Sequence, residues 1–187
     1  MTEIIQFYTE RLYLRQWRDS DYALFAKLNA DPKVMEFFPA LLTSDESDAM
    51  AKRCQSLIAE RGWGLWAVEL QTTHEFIGFV GLHIPTAILP FSPCVEIGWR
   101  MAADFWGQGY ATEAALGALR VGFEVLNFPE IVSFTALLNQ RSQQVMARVG
   151  MHNADEGFEH PSVAKGSPLR KHCLYRLTVE QWRQQQT

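Results

Sequence analysis

The sequence predicts a single α/β domain built on one mixed sheet, and three observations support this prediction. Three short strand candidates lie between residues 64 and 101 and are separated by loops, which is typical of an antiparallel meander. A strand, a helix and another strand follow, and this order requires a crossover that makes the two strands parallel. The length of 187 residues, about half of them apolar, suits one domain with a substantial core.

The first third of the chain predicts one strand and two helices. ERLYLRQW, residues 10–17, alternates in the period of a strand. The following segment offers Asp19 or Ser20 as the N-cap of a helix with an apolar stripe. A second helix is predicted to begin at Ser44 or Asp45, which also form a capping signal.

The middle of the chain supplies the meander. GLWAVEL (64–70) and EFIGFVGLHI (75–84) are short and rich in aromatic or β-branched residues, and the polar turn QTTH between them predicts a hairpin. PCVEIGWRM (93–101) is the third strand candidate. Gly98 within it marks a bulge or a close approach to the backbone, or else accommodates packing beside Trp99.

Two helices and two strands are predicted in the rest of the chain. A helix from Tyr110 to about Leu126 precedes the apolar strand candidate EIVSFTALL (130–138). NQRSQQVMARVG has the apolar spacing of a short helix that Gly150 ends, and KHCLYRLT (171–178) is the last strand candidate.

Composition excludes several classes of protein. A net charge of -4 and a pI near 5.7 argue against nucleic-acid binding, and the three cysteines have neither disulfide-framework nor metal-site spacing. His160 and His172 also lack zinc-site spacing, so we predict no metal and expect them to be structural or to lie near an acceptor. No apolar run approaches the ~20 residues of a membrane span, so we expect a soluble, cytoplasmic chain.

A glycine-containing segment, WGQGYAT, joins the third meander strand to a helix. No Ser, Asp or Asn precedes the helix, so its first N–H groups lack the usual caps. Gly107 and Gly109 would let these amides bind a phosphate, or they serve a tight turn while Thr112 caps a later helix start. A P-loop is excluded because no Gly-Lys-Ser/Thr follows, and a dinucleotide fingerprint would need a third small residue and an earlier place in the fold.

Several motifs in order resemble a known family. EIGWRM, FWGQGYATEAA, Asn139-x-x-Ser142 and VGM resemble the GNAT superfamily of acetyl-CoA-dependent N-acetyltransferases. With TERLYLRQW near the N-terminus, the chain resembles the branch that contains the ribosomal-protein N-terminal acetyltransferases. The resemblance implies one domain with a mixed, mostly antiparallel central sheet, helices on both faces, a GNAT-like acyl-CoA N-acyltransferase fold and acetyl-CoA as cosubstrate.

The resemblance also implies how acetyl-CoA is bound. The family's pyrophosphate loop places Trp106 first, Gly109 fourth and Ala111 sixth in its motif. The amides that would bind the pyrophosphate belong to Gln108, Gly109, Tyr110, Ala111 and Thr112. The pantetheine arm is expected to lie along the open edge of the third meander strand, in contact with Trp99, Arg100 and Met101.

Glu96 is the residue that this resemblance places beside the thioester as a base. It would accept a proton from the amine through water, and burial would raise its pKa toward that use. The other interpretation is an ordinary surface acid paired with Arg100. His83, at the end of a strand, is an alternative base.

Ser142 is the candidate acid. Many relatives have a Tyr proton donor four residues further along, where this chain has Met146, so the role passes to Ser142 as the group that contacts the CoA sulfur. Ser142 could instead start the helix. Asn139 either binds the pantetheine arm or closes a turn.

The function expected from these residues is acetyl transfer from acetyl-CoA to a primary amine, by direct attack in a ternary complex without metal. The acceptor, a peptide or protein N-terminus or a small amine, would be selected by segments 34–42 and 152–169. A noncatalytic acyl-CoA-binding or partner-binding module is the alternative, and a nucleotide-cofactor oxidoreductase fits less well. The expected partners are a CoA thioester and an amine, with neither nucleic acid nor membrane, and a homodimer stays open.

Overall fold

The computed structural model describes residues 2–187 and shows a nine-stranded sheet. The elements in chain order are β1 (Phe7–Tyr8), β2 (Leu12–Arg15), α1 (Tyr22–Asn29), α2 (Ser44–Arg61), β3 (Leu65–Leu70), β4 (Phe76–His83), β5 (Glu96–Met101), α3 (Tyr110–Arg120), β6 (Glu130–Ala136), α4 (Gln140–Arg148), β7 (His152–Asn153), β8 (Phe158–Glu159), β9 (Lys171–Thr178) and α5 (Val179–Gln185). The strand order is β1-β2-β3-β4-β5-β6-β9-β7, and β8 pairs with β9.

The mixed, mostly antiparallel sheet that the sequence predicts is confirmed. Within residues 2–187, β5 and β6 form the one parallel pair, and the remaining strand pairs are antiparallel. Helices α1 and α2 pack near β3 and β4, whereas α3 and α4 pack near β4, β5 and β6 from the other face. No helix in this part of the chain is both long and apolar enough to cross a bilayer.

Most element boundaries agree with the sequence, and α2 begins at the predicted Ser44, but the predicted N-caps of α1 and α2 need correction. Neither Asp19 nor Ser20 caps α1, because a short 3₁₀ turn over Asp19–Asp21 precedes the helix without a side-chain cap. Thr43 caps α2 by accepting a hydrogen bond from Glu46 N. The sequence did not predict β1, β7, β8 or α5. Three of these are two-residue strands, too short to show a period.

A buried ion-pair network fixes β2 against β3. The Arg15 guanidinium donates to Asp21 Oδ2 at 2.8 Å and to Glu69 Oε2 at 2.6 Å. All three side chains are at most 5% exposed, and Asp21 lies in the turn that leads into α1. Asp21, which occupies the N-cap position of α1 in place of the predicted Asp19 or Ser20, therefore binds Arg15 and makes no side-chain cap bond to the helix.

Candidate active site

A large cavity lies where β5 and β6 separate. Across residues 2–187, the two strands share one register pair, Glu96 with Val132, and Val132 N donates to Val95 O over 2.9 Å. Just beyond it, Ser133 Oγ donates to Ile97 O over 3.0 Å. The strands then diverge around a cavity of about 730 Å³.

Part of the β5 edge faces this cavity without a strand partner. Ile97 O and Met101 O both accept side-chain hydrogen bonds from the cavity side. Because main-chain groups alternate in direction along a strand, Trp99 between them turns its N–H and C=O toward the cavity. Arg100, which the sequence grouped with Trp99 and Met101, turns its main chain toward β4.

The glycine segment leaves the start of α3 open. Gly107 and Gly109 have φ values of +75° and +80°, which favour glycine over other residues. Gly109 occupies the N-cap position and makes no side-chain cap bond. Because α3 begins at Tyr110, the alternative in which Thr112 caps a later helix is wrong. The cavity is lined here by Gly109, Tyr110, Ala111 and Thr112. The uncapped N–H groups at the start of α3 and the helix dipole therefore favour an anion in this part of the cavity.

An arginine from the N-terminal segment supports this loop from outside the cavity. Arg11 Nη1 donates to Gln108 O at 2.9 Å, and Arg11 Nε donates to Glu113 Oε2 at 2.6 Å. Glu113 Oε1 also accepts from Thr9 Oγ1 at 2.6 Å, and the Arg11 guanidinium lies 4.5 Å from the Tyr110 ring centroid. The sequence alone did not predict this support. The residue that could have indicated it is Glu113, an acid in the first turn of an uncapped helix.

Glu96 is buried and pairs with a histidine on the neighbouring strand β4. Glu96 Oε2 lies 2.7 Å from His83 Nε2, and the two residues are register partners of β5 and β4. The interpretation of Glu96 as a surface acid paired with Arg100 is therefore wrong. The alternative base, His83, is instead part of the same site, and its side chain is 32% exposed.

Gly98 leaves open space beside Glu96. The β4–β5 register runs through Gly98 without a shift, so it does not form a bulge. A Cβ built at Gly98 would lie 3.9 Å from Glu96 Oε1, its nearest neighbour apart from the adjoining residues. A ligand can therefore approach the backbone at this point.

Ser142 lies at the other side of β5 with both of its acceptor positions used. Trp99 Nε1 donates to Ser142 Oγ at 3.3 Å, and Asn139 Nδ2 donates to it at 3.0 Å. Asn139 Oδ1 accepts from Ser142 N, so Asn139 is the N-cap of α4 and Ser142 does not start the helix. With two donors already directed at Oγ, the Ser142 hydroxyl hydrogen is left to donate elsewhere.

Asn139 itself is held by three contacts. Besides the two bonds with Ser142, its Nδ2 donates to Thr135 Oγ1 at 3.0 Å. These bonds fix the orientation of the amide, because Oδ1 must face Ser142 N. The turn-closing interpretation of Asn139 is thus confirmed, and one lone pair of Oδ1 stays available to a ligand N–H.

Arg100 extends its side chain to the opposite face from Trp99. Arg100 Nη1 donates to Asn29 Oδ1 at 2.7 Å, and the guanidinium lies 4.2 Å from the Phe38 ring centroid. The residue is 9% exposed and still lines the cavity. Burial lowers the pKa of Arg100 to about 10.

Both segments expected to select the acceptor reach this cavity. Val34 and Phe38 line it from segment 34–42, and His160 and Val163 line it from segment 152–169. His160 and His172 have ring centroids 5.0 Å apart within an aromatic cluster, and burial lowers the pKa of both. Among residues 2–187 there is no group of three or more His, Cys, Asp or Glu that could hold a metal ion.

The cavity therefore combines four chemical features within one cleft. An open helix start can bind a phosphate group, and an adjoining strand edge can bind amide groups. A carboxylate with a histidine lies on one face of β5, and a hydroxyl with a free hydrogen lies near the other face. Such an arrangement suits a long phosphate-bearing ligand whose reactive end lies between a proton acceptor and a proton donor.

Comparison with known proteins agrees with this geometry. The family model described as "Acetyltransferase (GNAT) domain" matches residues 11–152. An uncharacterised protein of Bacillus subtilis, YkkB, is 35% identical over 147 residues, covering 77% of this chain and 83% of YkkB. The FsC-acetyl coenzyme A-N(2)-transacetylase of Aspergillus fumigatus is 31% identical over 165 residues, covering 83% and 68% of the two chains.

The fold is also shared with solved structures. A putative ribosomal-protein-serine acetyltransferase from Vibrio cholerae superposes with a TM-score of 0.75 at 18% identity, covering 95% of this chain and 99% of the other. At this identity the match establishes a common fold.

Proposed function

Because the chain belongs to the GNAT acetyltransferase family, it is an acetyl-CoA-dependent N-acetyltransferase, and we propose that it acetylates a primary amine bound beside Glu96. Acetyl-CoA supplies the acyl group already activated as a thioester. The residues of this chain bind the thioester and the amine and transfer the protons.

The N–H groups at the start of α3, from Gln108 to Thr112, bind the pyrophosphate in this proposal. The geometry supports the Gly109 to Thr112 part most directly, because these four residues line the cavity and Gln108 is not among its lining residues. Trp99 and Met101 hold the pantetheine arm with free main-chain groups of β5. Asn139 Oδ1 accepts a further N–H from this arm, whereas Arg100, which the sequence predicted to contact it, turns its main chain toward β4 and its side chain toward Asn29.

Glu96 and His83 provide proton acceptance for the incoming amine. An amine must lose a proton to attack a carbonyl, and a buried carboxylate bonded to an imidazole can take it directly or through water. The half-exposed His83 then gives the proton a route out of the cavity. Glu96 Oε1, which faces the space over Gly98, is the atom nearest to this amine.

Ser142 provides proton donation for the departing thiolate. Its hydroxyl hydrogen is free because Trp99 and Asn139 occupy both acceptor positions of Oγ. The free N–H groups along the β5 edge stabilise negative charge that develops on the acyl oxygen. Met146, where relatives have a tyrosine, is 1% exposed and belongs to the core.

The single observation that supports this proposal most strongly is the arrangement around β5. Its free edge leads to the open start of α3, and Glu96 and Ser142 lie on either side of that edge. The A. fumigatus relative's name gives acetyl coenzyme A and an N(2) position, which supports acetyl transfer to a nitrogen. A small amine and a peptide or protein N-terminus both stay within the proposal.

Calorimetric titration with acetyl-CoA, followed by thiol release against a panel of amines and N-terminal peptides, tests the proposal. We expect binding, and turnover that falls at least a hundredfold in Glu96→Gln. Glu130→Gln is the matched control, because Glu130 pairs with Arg176 outside the cavity. Absence of CoA binding at millimolar concentration would refute the proposal. CoA binding without thiol release from any acceptor would favour the noncatalytic module.

We also infer a cytoplasmic location, which the three free cysteines support. We infer in addition that the chain forms a homodimer. The molecular mass measured by light scattering in solution tests this inference.

A further inference from the structure

A buried guanidinium without a counterion lies on the Glu96 face of β5. Arg100 is 9% exposed, and its polar contacts are Asn29 Oδ1 at 2.7 Å and Met50 Sδ at 3.7 Å, both made by Nη1. Arg100 Nε is buried and has no hydrogen-bond partner in residues 2–187. No carboxylate of these residues forms an ion pair with Arg100. A buried charge in this condition is costly unless a ligand pairs with it.

The surrounding groups hold the guanidinium but do not neutralise it. It lies 4.2 Å from the Phe38 ring centroid and 5.5 Å from that of Phe79, which gives cation–π attraction without a negative charge. Burial raises the pKa of the nearby Cys54 thiol to about 11, so Cys54 is neutral at pH 7. The pKa of Arg100, though lowered by burial to about 10, still leaves it protonated at that pH.

Arg100 and Glu96 face the same part of the cavity. Side chains two apart along a strand share a face, so Glu96, Gly98 and Arg100 lie on one side of β5. Four residues at about 3.3 Å per residue separate the Glu96 and Arg100 Cα atoms by roughly 13 Å. Gly98 between them leaves open space, which Glu96 Oε1 borders. A small molecule lying over Gly98 would meet a carboxylate at one end and a guanidinium at the other.

We propose that the acceptor is a small amine that also carries a carboxylate, and that Arg100 binds this carboxylate while the amine lies beside Glu96. This inference rests on the proposed function. The Nε and Nη2 groups of an arginine form one edge with two parallel N–H bonds, and this edge matches the two oxygens of a carboxylate. Asn29 holds the third nitrogen and so keeps the edge in place. Amino acids and ω-amino acids are the substrate class with this chemistry.

Matched pairs of acceptors test the proposal on the wild-type enzyme. β-Alanine, 4-aminobutyrate, 5-aminovalerate and 6-aminohexanoate are each compared with their own carboxamide in the thiol-release assay. For at least one chain length we expect kcat/KM to favour the acid by roughly ten- to hundredfold, the range of a hydrogen-bonded charge pair. Equal or reversed preference at every length, with acetyl-CoA binding and carboxamide turnover intact, would overturn this proposal and leave the proposed function standing.

Variants assign the preference to Arg100. We expect Arg100→Gln to bring the acid-to-amide ratio close to one, and Arg100→Lys to give an intermediate ratio. Arg141→Gln is the matched control, because Arg141 also lines the cavity but already pairs with Glu36 at 2.9 Å, and its ratio should equal that of the wild type. An unchanged ratio in Arg100→Gln would overturn the assignment.

A second measurement on the wild type does not depend on variant folding. Butyrate and valerate, which lack the amine, should inhibit competitively against the amino acid acceptor, whereas 1-butanol and 1-pentanol should not. Equal inhibition by acids and alcohols would contradict a carboxylate site.

Discussion

Replacement of Ser142 by alanine tests whether the Ser142 hydroxyl donates a proton in the reaction or serves only as a structural hydrogen-bond acceptor. The substitution removes the hydroxyl hydrogen and also the acceptor for Trp99 Nε1, at 3.3 Å, and for Asn139 Nδ2, at 3.0 Å. Asn139 keeps its bonds to Thr135 and to the main chain of residue 142, so the start of α4 stays capped. The fold should therefore survive the change.

The cost in stability follows from the two lost bonds. Each contributes about 1 kcal/mol net, and alanine returns a few tenths through its higher helix propensity, so we expect a loss of roughly 1 to 2 kcal/mol. For a chain of this size that corresponds to a Tm lower by about 2 to 8 °C. The loss of a general acid is larger in kinetic terms, and kcat should fall by about a hundredfold or more.

Thermal unfolding, calorimetric binding of acetyl-CoA and steady-state thiol release measure these effects separately. Ser142→Thr keeps the hydroxyl and should retain most of kcat, which makes it the matched control. If Ser142→Ala has a kcat within threefold of wild type, Ser142 is not the proton donor. If both variants lose CoA affinity equally, the residue serves binding alone.

Three other perturbations test separate parts of the structure. Gly98→Ala should leave the fold intact, since its Cβ meets Glu96 Oε1 at an ordinary 3.9 Å, while thiol release falls at least tenfold because the methyl occupies the acceptor space. Gly109→Ala, at φ +80°, should cost roughly 1–2 kcal/mol and weaken CoA binding in calorimetry, whereas Gly166→Ala, at φ +86°, should cost the same without that weakening. Burial raises the pKa of Glu69, but hydrogen bonds from Arg15 and His74, with the charges of Arg15 and Arg18, outweigh it and hold that pKa below its usual value. The contribution of Glu69 to the free energy of unfolding, measured with urea, should therefore be complete above about pH 4.3 and should decrease as the pH drops through the lower pKa of the folded state. Glu69→Gln should flatten that decrease.

The sequence predicted the uncapped start of α3 and the parallel crossover because both depend on local pattern. Glycines before an uncapped helix, and a strand on each side of it, are visible without knowing any long-range contact. The partner of Glu96 was not predictable in this way. His83 becomes its neighbour through the register of β4 with β5, whereas Arg100, although closer in sequence and on the same face of β5, bonds Asn29 instead.

Arg11 shows the same limit over a longer distance. Its bonds to Gln108 and Glu113 join residues about a hundred positions apart, and no spacing rule connects them. The N-terminal segment was informative as part of a family resemblance, but its contact with the glycine segment before α3 came from the structure. The predicted caps Asp19 and Ser20 were wrong for a related reason, because these residues lie in a short 3₁₀ turn whose last residue, Asp21, binds the buried Arg15.

The position of the groups around β5 also bears on the order of chemical steps. An acyl-enzyme route would need a nucleophile in the cavity with a base beside it. Ser142 accepts bonds from Trp99 and Asn139 but has no histidine partner among residues 2–187, and burial raises the pKa of Cys54 and Cys94 to about 11 and that of Cys173 above its usual value. Glu96, the proposed base, lies on one face of β5 and Ser142, the proposed proton donor, lies near the other, so the proposal has the amine attack from the Glu96 side while the thiolate leaves toward Ser142. We therefore expect intersecting double-reciprocal plots for acetyl-CoA and the amine, whereas parallel lines would indicate an acyl-enzyme.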